Sequence, residues 1–125
     1  MKKIIVSPDA PKAVGPYSQA VEANGTLYIS GQLPIDPATG KFAEGGIAEQ
    51  TAQCLKNTGA ILAEAGYGYS HVVKSTVLLA DMNGFAAMNE VYARFYAEPY
   101  PARVAYQVAK LPMGAQVEIE TIAVK

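Results

Sequence analysis

The sequence predicts an α/β (α+β) chain: a single mixed β-sheet with two helices packed on one face. Three observations predict it. Asn24-Gly25 separates two β-rich runs in "QAVEANGTLYIS". Residues 46–65 switch to an apolar period of three and four residues. "HVVKSTVLLA", residues 71–80, is a nearly unbroken apolar run followed by a second helical stripe.

Each element follows in order. Asn-Gly between β-rich runs is a strong hairpin signal, because both turn residues must reach positive φ. Strands are therefore expected at 19–23 and 26–30. "GQLPIDPATGKF" is broken too often by glycine and proline to establish a period, and is expected to be a loop. In 46–65, Ile47, Thr51, Cys54, Leu55, Thr58, Ile61, Leu62 and Ala65 share one face of a helix. Glu49, Gln50, Gln53, Lys56, Asn57 and Glu64 take the other, and Gly66 is the expected stop. The 71–80 run suits a central strand buried on both faces. Asp81 is the candidate N-cap of the next helix, whose core stripe is Phe85, Met88, Tyr92 and Phe95; Pro99 and Pro101 end it. Strands at 102–108 and 117–124 complete the order ββ(β)-α-β-α-β-β.

Composition bounds the function. The chain of 125 residues is expected to form one domain, 1–125. A net charge of −1 gives no field to attract nucleic acid or an anionic membrane. Its eight tyrosines are not interleaved with basic residues, so nucleic acid is not an expected partner. Charged residues make up 17%, below the roughly 25% of an ordinary soluble domain. That shortage predicts an apolar surface patch and a homo-oligomer. The single cysteine, Cys54, excludes an intrachain disulfide and is compatible with a reducing, cytoplasmic location; its helical position reads as core. The apolar run near the start is too short for a signal peptide, and no stretch is long enough to span a membrane. His71, the only histidine, has no ligand-spaced companion, so no metal is expected; no phosphate-binding loop occurs either.

One residue stands out. The chain has two arginines, Arg94 and Arg103, and the second lies in "YPARVAYQV", a strand built for burial. Side chains alternate along a strand, so Arg103, Ala105 and Gln107 share one face. Ala102, Val104, Tyr106 and Val108 share the other, and their bulk predicts that theirs is the helix-covered side. Arg103 is then expected to face a neighbouring subunit. Glu118 and Glu120 share one face of the last strand; were that strand adjacent, a carboxylate could stand beside the guanidinium. A half-buried arginine needs a partner, since an unpaired buried charge costs several kcal/mol. Either the arginine is locked in a structural Arg–Glu pair, or its planar fork grips an anionic ligand with two hydrogen bonds.

"GPYSQAV" (15–21), "LYISGQLPIDPATG" (27–40), "PAR" (101–103) and "LPMGAQVEIETIAV" (111–124) resemble the YjgF/YER057c/UK114 family, and most closely its RidA branch of reactive-intermediate (enamine/imine) deaminases. The resemblance implies a chorismate-mutase-like domain that forms homotrimers with ligand clefts between subunits. It implies hydrolysis of 2-imino acids (2-iminopropanoate, 2-iminobutanoate) to 2-keto acids and ammonia, with neither metal nor bound cofactor. Carried onto this chain, it makes Arg103 the carboxylate clamp and Glu118 the residue that activates water. Tyr17, Ser30 and Gly31 would line the cleft, the Gly31 amide aiding carboxylate binding. Backbone groups at Ala105 would face the imine, with Phe85 and Asn89 near the cleft. Many RidA members carry cysteine where this chain has Ala105. Water can add to an imine without a covalent sulfur, so the expected reaction stands, while rate and ligand preference become open.

Two other readings compete. The same cleft could hold a 2-keto acid or similar carboxylate without turnover, as a binding module. A ribonuclease, translation-inhibitor or chaperone-like role is ascribed to some members of the family, but the weak charge and the lack of a basic, aromatic groove argue against RNA cleavage.

Overall fold

A computed structural model describes residues 1–125. Eight strands and two helices follow one another as β1 (Lys3–Ile5), β2 (Ala20–Ala23), β3 (Thr26–Gln32), β4 (Ile35–Asp36), β5 (Lys41–Phe42), α1 (Ile47–Glu64), β6 (Val72–Leu79), α2 (Phe85–Phe95), β7 (Ala102–Gln107) and β8 (Val117–Val124). Six strands form one sheet in the order β1-β2-β3-β8-β6-β7, and β4 and β5 form a separate two-stranded ribbon. Only β6 and β7 run parallel; the other pairs are antiparallel. The parallel pair is joined through α2, as a strand–helix–strand crossover requires. The expected mixed sheet with two helices on one face is what forms.

Local chemistry accounts for the elements. Asn24 and Gly25 have φ of 51° and 76°, the left-handed pair that closes a two-residue hairpin between β2 and β3. At the start of α1 the Gly46 N–H donates to Glu49 Oε1 at 2.8 Å. At its end Gly66, at φ 81°, turns the chain back so that the Tyr67 N–H donates to the Leu62 carbonyl. Asp81 accepts from the Asn83 N–H and so caps the short 3₁₀ turn Met82–Gly84 that leads into α2, rather than α2 itself.

The core lies between the two helices and one face of the sheet. Leu27, Ile29, Val77, Leu79, Val117 and Ile119 meet Leu55, Ile61, Leu62 and Met88 there, all at 2% exposure or less. Cys54 joins them fully buried, and burial pushes its thiol well above the ordinary range. The opposite sheet face carries large apolar side chains with nothing over them: Tyr28, Val104 and Tyr106 are 50%, 41% and 47% exposed.

Four further expectations are corrected. β6 is buried on one face only: Val72, Ser75, Val77 and Leu79 are buried while Val73 is exposed. The segment expected as a loop continues β3 as far as Gln32 and then folds into the β4–β5 ribbon. Gln50 and Asn57 lie inward on α1, because each ties down a neighbouring loop. Gln50 Oε1 accepts from the Gln116 N–H, and Asn57 Nδ2 donates to the Leu33 and Ile35 carbonyls. Finally, the faces of β7 are reversed. Arg103 and Ala105 point to the helix side and Val104 and Tyr106 to the open side.

Candidate active site

Arg103 is placed by register. On β7 it pairs with Ser75 of β6, which is fully buried under the helices, so the guanidinium emerges beneath α2. Three groups hold it. Nη1 donates to Asn89 Oδ1 at 2.8 Å. The guanidinium carbon lies 4.7 Å from the centre of the Tyr92 ring and 5.6 Å from that of Phe85. Phe85, Asn89 and Tyr92 fall at helical steps of four and three, which puts all three on one face of α2. Asn89, Tyr92, Tyr100, Pro101 and Arg103 line one open cleft.

No carboxylate stands near this arginine. The chain's one ion pair is the exposed Arg94–Glu90 pair on α2. The intrachain Arg103–glutamate pair, one of the two readings of the sequence, is absent for two geometric reasons. β6 lies between β7 and β8, and Glu118 and Glu120 pair with Leu78 and Thr76 on the sheet's other face. The half-buried guanidinium is braced by a neutral amide and two rings, and most of its donors remain free.

Glu118 has its own surroundings. Across the open face it stands in one row with Leu78 and Tyr106. Val14, Tyr17, Ser30, Gly31, Leu33, Met113 and Glu118 line a second cleft. An irregularity in the β3–β8 pairing between Ile29 and Gln32 bulges Ser30 and Gly31 out of the ladder. Ser30 anchors this bulge: its Oγ donates to the Ser18 carbonyl at 2.6 Å and its N–H to the Gln19 carbonyl. Gly31 is required by contact. A Cβ there would collide with Glu118 Oε2, so the missing side chain makes room for the carboxylate. Burial pushes the Glu118 carboxyl above its ordinary value, and the charge of Glu120 adds in the same direction. Tyr17 is half exposed at the rim, its hydroxyl 3.4 Å from the Val14 N–H.

One chain therefore brings together Arg103, Asn89 and Phe85 in one place, and Tyr17, Ser30, Gly31 and Glu118 in another. Ala105 lies on the edge strand β7, two residues along from Arg103 on the same face. Tyr92 belongs to the arginine's setting but reads in the sequence as a core residue only. The helical spacing from Phe85 through Asn89 to Tyr92 was the signal that could have placed it there. The first cleft can bind a planar anion; the second can hold a proton-accepting carboxylate beside a polar turn.

The fold and these clefts agree with what the chain resembles: it belongs to the Endoribonuclease L-PSP family, whose pattern it matches over residues 7–125. Among its relatives is the 2-iminobutanoate/2-iminopropanoate deaminase of Bos taurus, 54% identical over 125 residues, which span 100% of this chain and 91% of that protein. Among solved structures it is similar to RidA from the Antarctic bacterium Psychrobacter sp., at a TM-score of 0.95 and 48% identity over 98% of this chain and 99% of that one. It is also similar to E. coli TdcF with bound serine, at a TM-score of 0.93 and 41% identity over 98% of each chain.

Proposed function

We propose that this chain is an enzyme that hydrolyses short 2-imino acids to 2-keto acids and ammonia, and that it acts as a homotrimer. In that assembly the Arg103 cleft of one subunit faces the Glu118 cleft of the next. The observation that carries the reading is the half-buried Arg103 guanidinium with no carboxylate partner, since such a charge is stabilised once an anion meets it. The exposed apolar face of the sheet supports assembly, as do the two clefts, each holding one of the charges the reaction needs. The names of the deaminase relatives support the substrate class.

The chemistry follows from the groups. Arg103 takes the substrate carboxylate on its free N–H donors, while Asn89 fixes the other side of the guanidinium. Fixing the carboxylate fixes the imine carbon two bonds away. The imine nitrogen takes up a proton. Glu118 accepts a proton from water as its oxygen adds to the imine carbon, forming a tetrahedral carbinolamine. Glu118 returns the proton to nitrogen, the C–N bond breaks, and ammonia leaves as the new hydroxyl gives its proton to Glu118 and on to solvent, replacing the one the imine took up, to give the ketone. The raised Glu118 carboxyl is nearer to neutral than an ordinary glutamate, which suits a group that must both take and give a proton. No step requires a nucleophilic side chain, so alanine at 105 is no obstacle.

The test generates the substrate in place. An amino-acid dehydratase and its amino acid are mixed with and without this protein, and keto-acid release is timed. Faster release that disappears with Arg103→Ala is expected. No acceleration would overturn catalysis, and tight binding of 2-oxobutanoate in the same preparation would then establish a binding module instead.

A further inference from the structure

We propose that Tyr92 is a positioning residue for Arg103, held in place by Ser75, and that the two together set the direction of the arginine's free donors. The inference rests on the reading of Arg103 as the carboxylate clamp. It adds how a long, rotatable side chain with one polar partner is held still.

One hydrogen bond fixes a point and leaves rotation about it. The bond from Nη1 to Asn89 is the only polar contact that the guanidinium makes. A ring face beneath it fixes a plane, and the Tyr92 ring lies 4.7 Å from the guanidinium carbon. Point and ring face together narrow the orientations open to the fork, whose remaining donors lie at the cleft.

The ring is itself held unusually well. Tyr92 is 4% exposed, and its hydroxyl donates to Ser75 Oγ at 2.9 Å. Its other neighbour is the Tyr96 ring, with centroids 4.7 Å apart. Ser75 pairs with Arg103 on one side and with Thr121 on the other. Arg103, Ser75 and Thr121 thus form one polar row across three strands, on the helix-covered side of the sheet. Such a row is costly in a core: Thr121 Oγ1 and the Tyr96 hydroxyl that approaches Ser75 and Thr121 are buried without a well-formed hydrogen bond. Buried, unpaired hydroxyls cost stability, and apolar residues in these places would not. The row makes sense as a seat for the arginine. Ser75 stands on the strand beside it, so the pin and the clamp cannot move independently.

The experiment compares variants by steady-state kinetics with 2-iminobutanoate and by calorimetric binding of 2-oxobutanoate. Tyr92→Leu should weaken binding and raise KM by about tenfold, the loss of one desolvated cation–π contact, with a smaller change in kcat. Tyr92→Phe keeps every ring and removes only the pin, and Ser75→Ala removes it together with the hydroxyl that Tyr96 approaches; each should raise KM by about threefold, within the range of one hydrogen bond. The double variant should be no worse than either single one. In an Arg103→Ala background, Tyr92→Leu should change residual binding no further, an outcome that general damage to the fold would not produce. If Tyr92→Leu does not fold, the two pin variants decide: unchanged KM in both overturns the proposal. Unchanged binding in Tyr92→Leu, with Arg103→Ala still defective, overturns the positioning role alone. Unchanged binding in Arg103→Ala overturns the clamp itself.

Discussion

The two clefts differ in how each holds its charge. The arginine lies over two aromatic rings under α2, tied to a neutral amide, and free of any counter-charge. The glutamate stands on the open face beside a bulged turn, with burial and a second carboxylate both opposing its ionisation. One region keeps a cation without a counter-charge; the other keeps a carboxyl whose ionisation its surroundings disfavour. Held together permanently, the two would neutralise each other, and the arginine would lose its donors to the glutamate. Placing them on opposite faces of one sheet prevents that pairing within a chain. Under the proposed assembly, a ligand would be gripped by one charge and worked on by the other where two chains meet.

The strongest test of this comparison mixes two defective proteins. Arg103→Ala should abolish measurable acceleration, and Glu118→Gln should lower it by about a hundredfold or more. Unfolded together and reassembled in equal amounts, they should regain roughly a quarter of the wild-type rate, because about one site in four combines an intact arginine with an intact glutamate. No recovery would place each working site within one chain. Next in size, Glu118→Gln alone should lower kcat by about 10²–10⁴-fold, as loss of an acid–base group does, yet leave 2-oxobutanoate affinity within a few-fold of normal. A comparable loss of affinity would make Glu118 a binding residue.

Gly31→Ala probes the same cleft from the backbone. The new methyl group displaces only the flexible end of Glu118, so the protein should fold normally and lose about 10²-fold in kcat through misplacement of the carboxylate. A normal rate would show that the carboxylate has room to spare.

The smallest expected effect concerns pH. A carboxyl raised above its unfolded value, near 4.3, is favoured in the folded chain while protonated. Stability linked to it is present below that pH and lost as pH rises through the folded value. Glu118→Gln should therefore raise Tm slightly at pH 7 relative to wild type, with the gain vanishing near pH 4. An unchanged or lowered Tm at pH 7 would mean that a cation already offsets this charge in the assembly.

Much of this arrangement was legible in the residues. The Asn24-Gly25 turn, both helices and the limits of β6, β7 and β8 to within a residue follow from local chemistry and period, while β1, the end of β3 and the β4–β5 ribbon did not. The two faces of β7 did not follow, for a physical reason. Val104 and Tyr106 are bulky and apolar, and Ala105 is small, so bulk alone assigns the core to the wrong side. A sheet with one face under helices and the other bare but apolar carries two similar faces, and residue size cannot say which one the helices cover. The strand order was within reach: a strand, a helix and a strand in sequence favour a parallel neighbour pair, which puts β6 beside β7. The inward turn of Gln50 and Asn57 was hidden because both look solvent-facing until the loops they bind are in place.

The edge strand β7 serves two sides at once. Arg103 reaches under α2, while its immediate neighbour Val104 lies on the bare apolar face. Under the proposed assembly, whatever presses on Val104 and Tyr106 tugs the same short backbone that aims the guanidinium. Ligand occupancy and subunit cohesion would then rise and fall together, so a saturating keto acid should slow the exchange of subunits between differently tagged trimers.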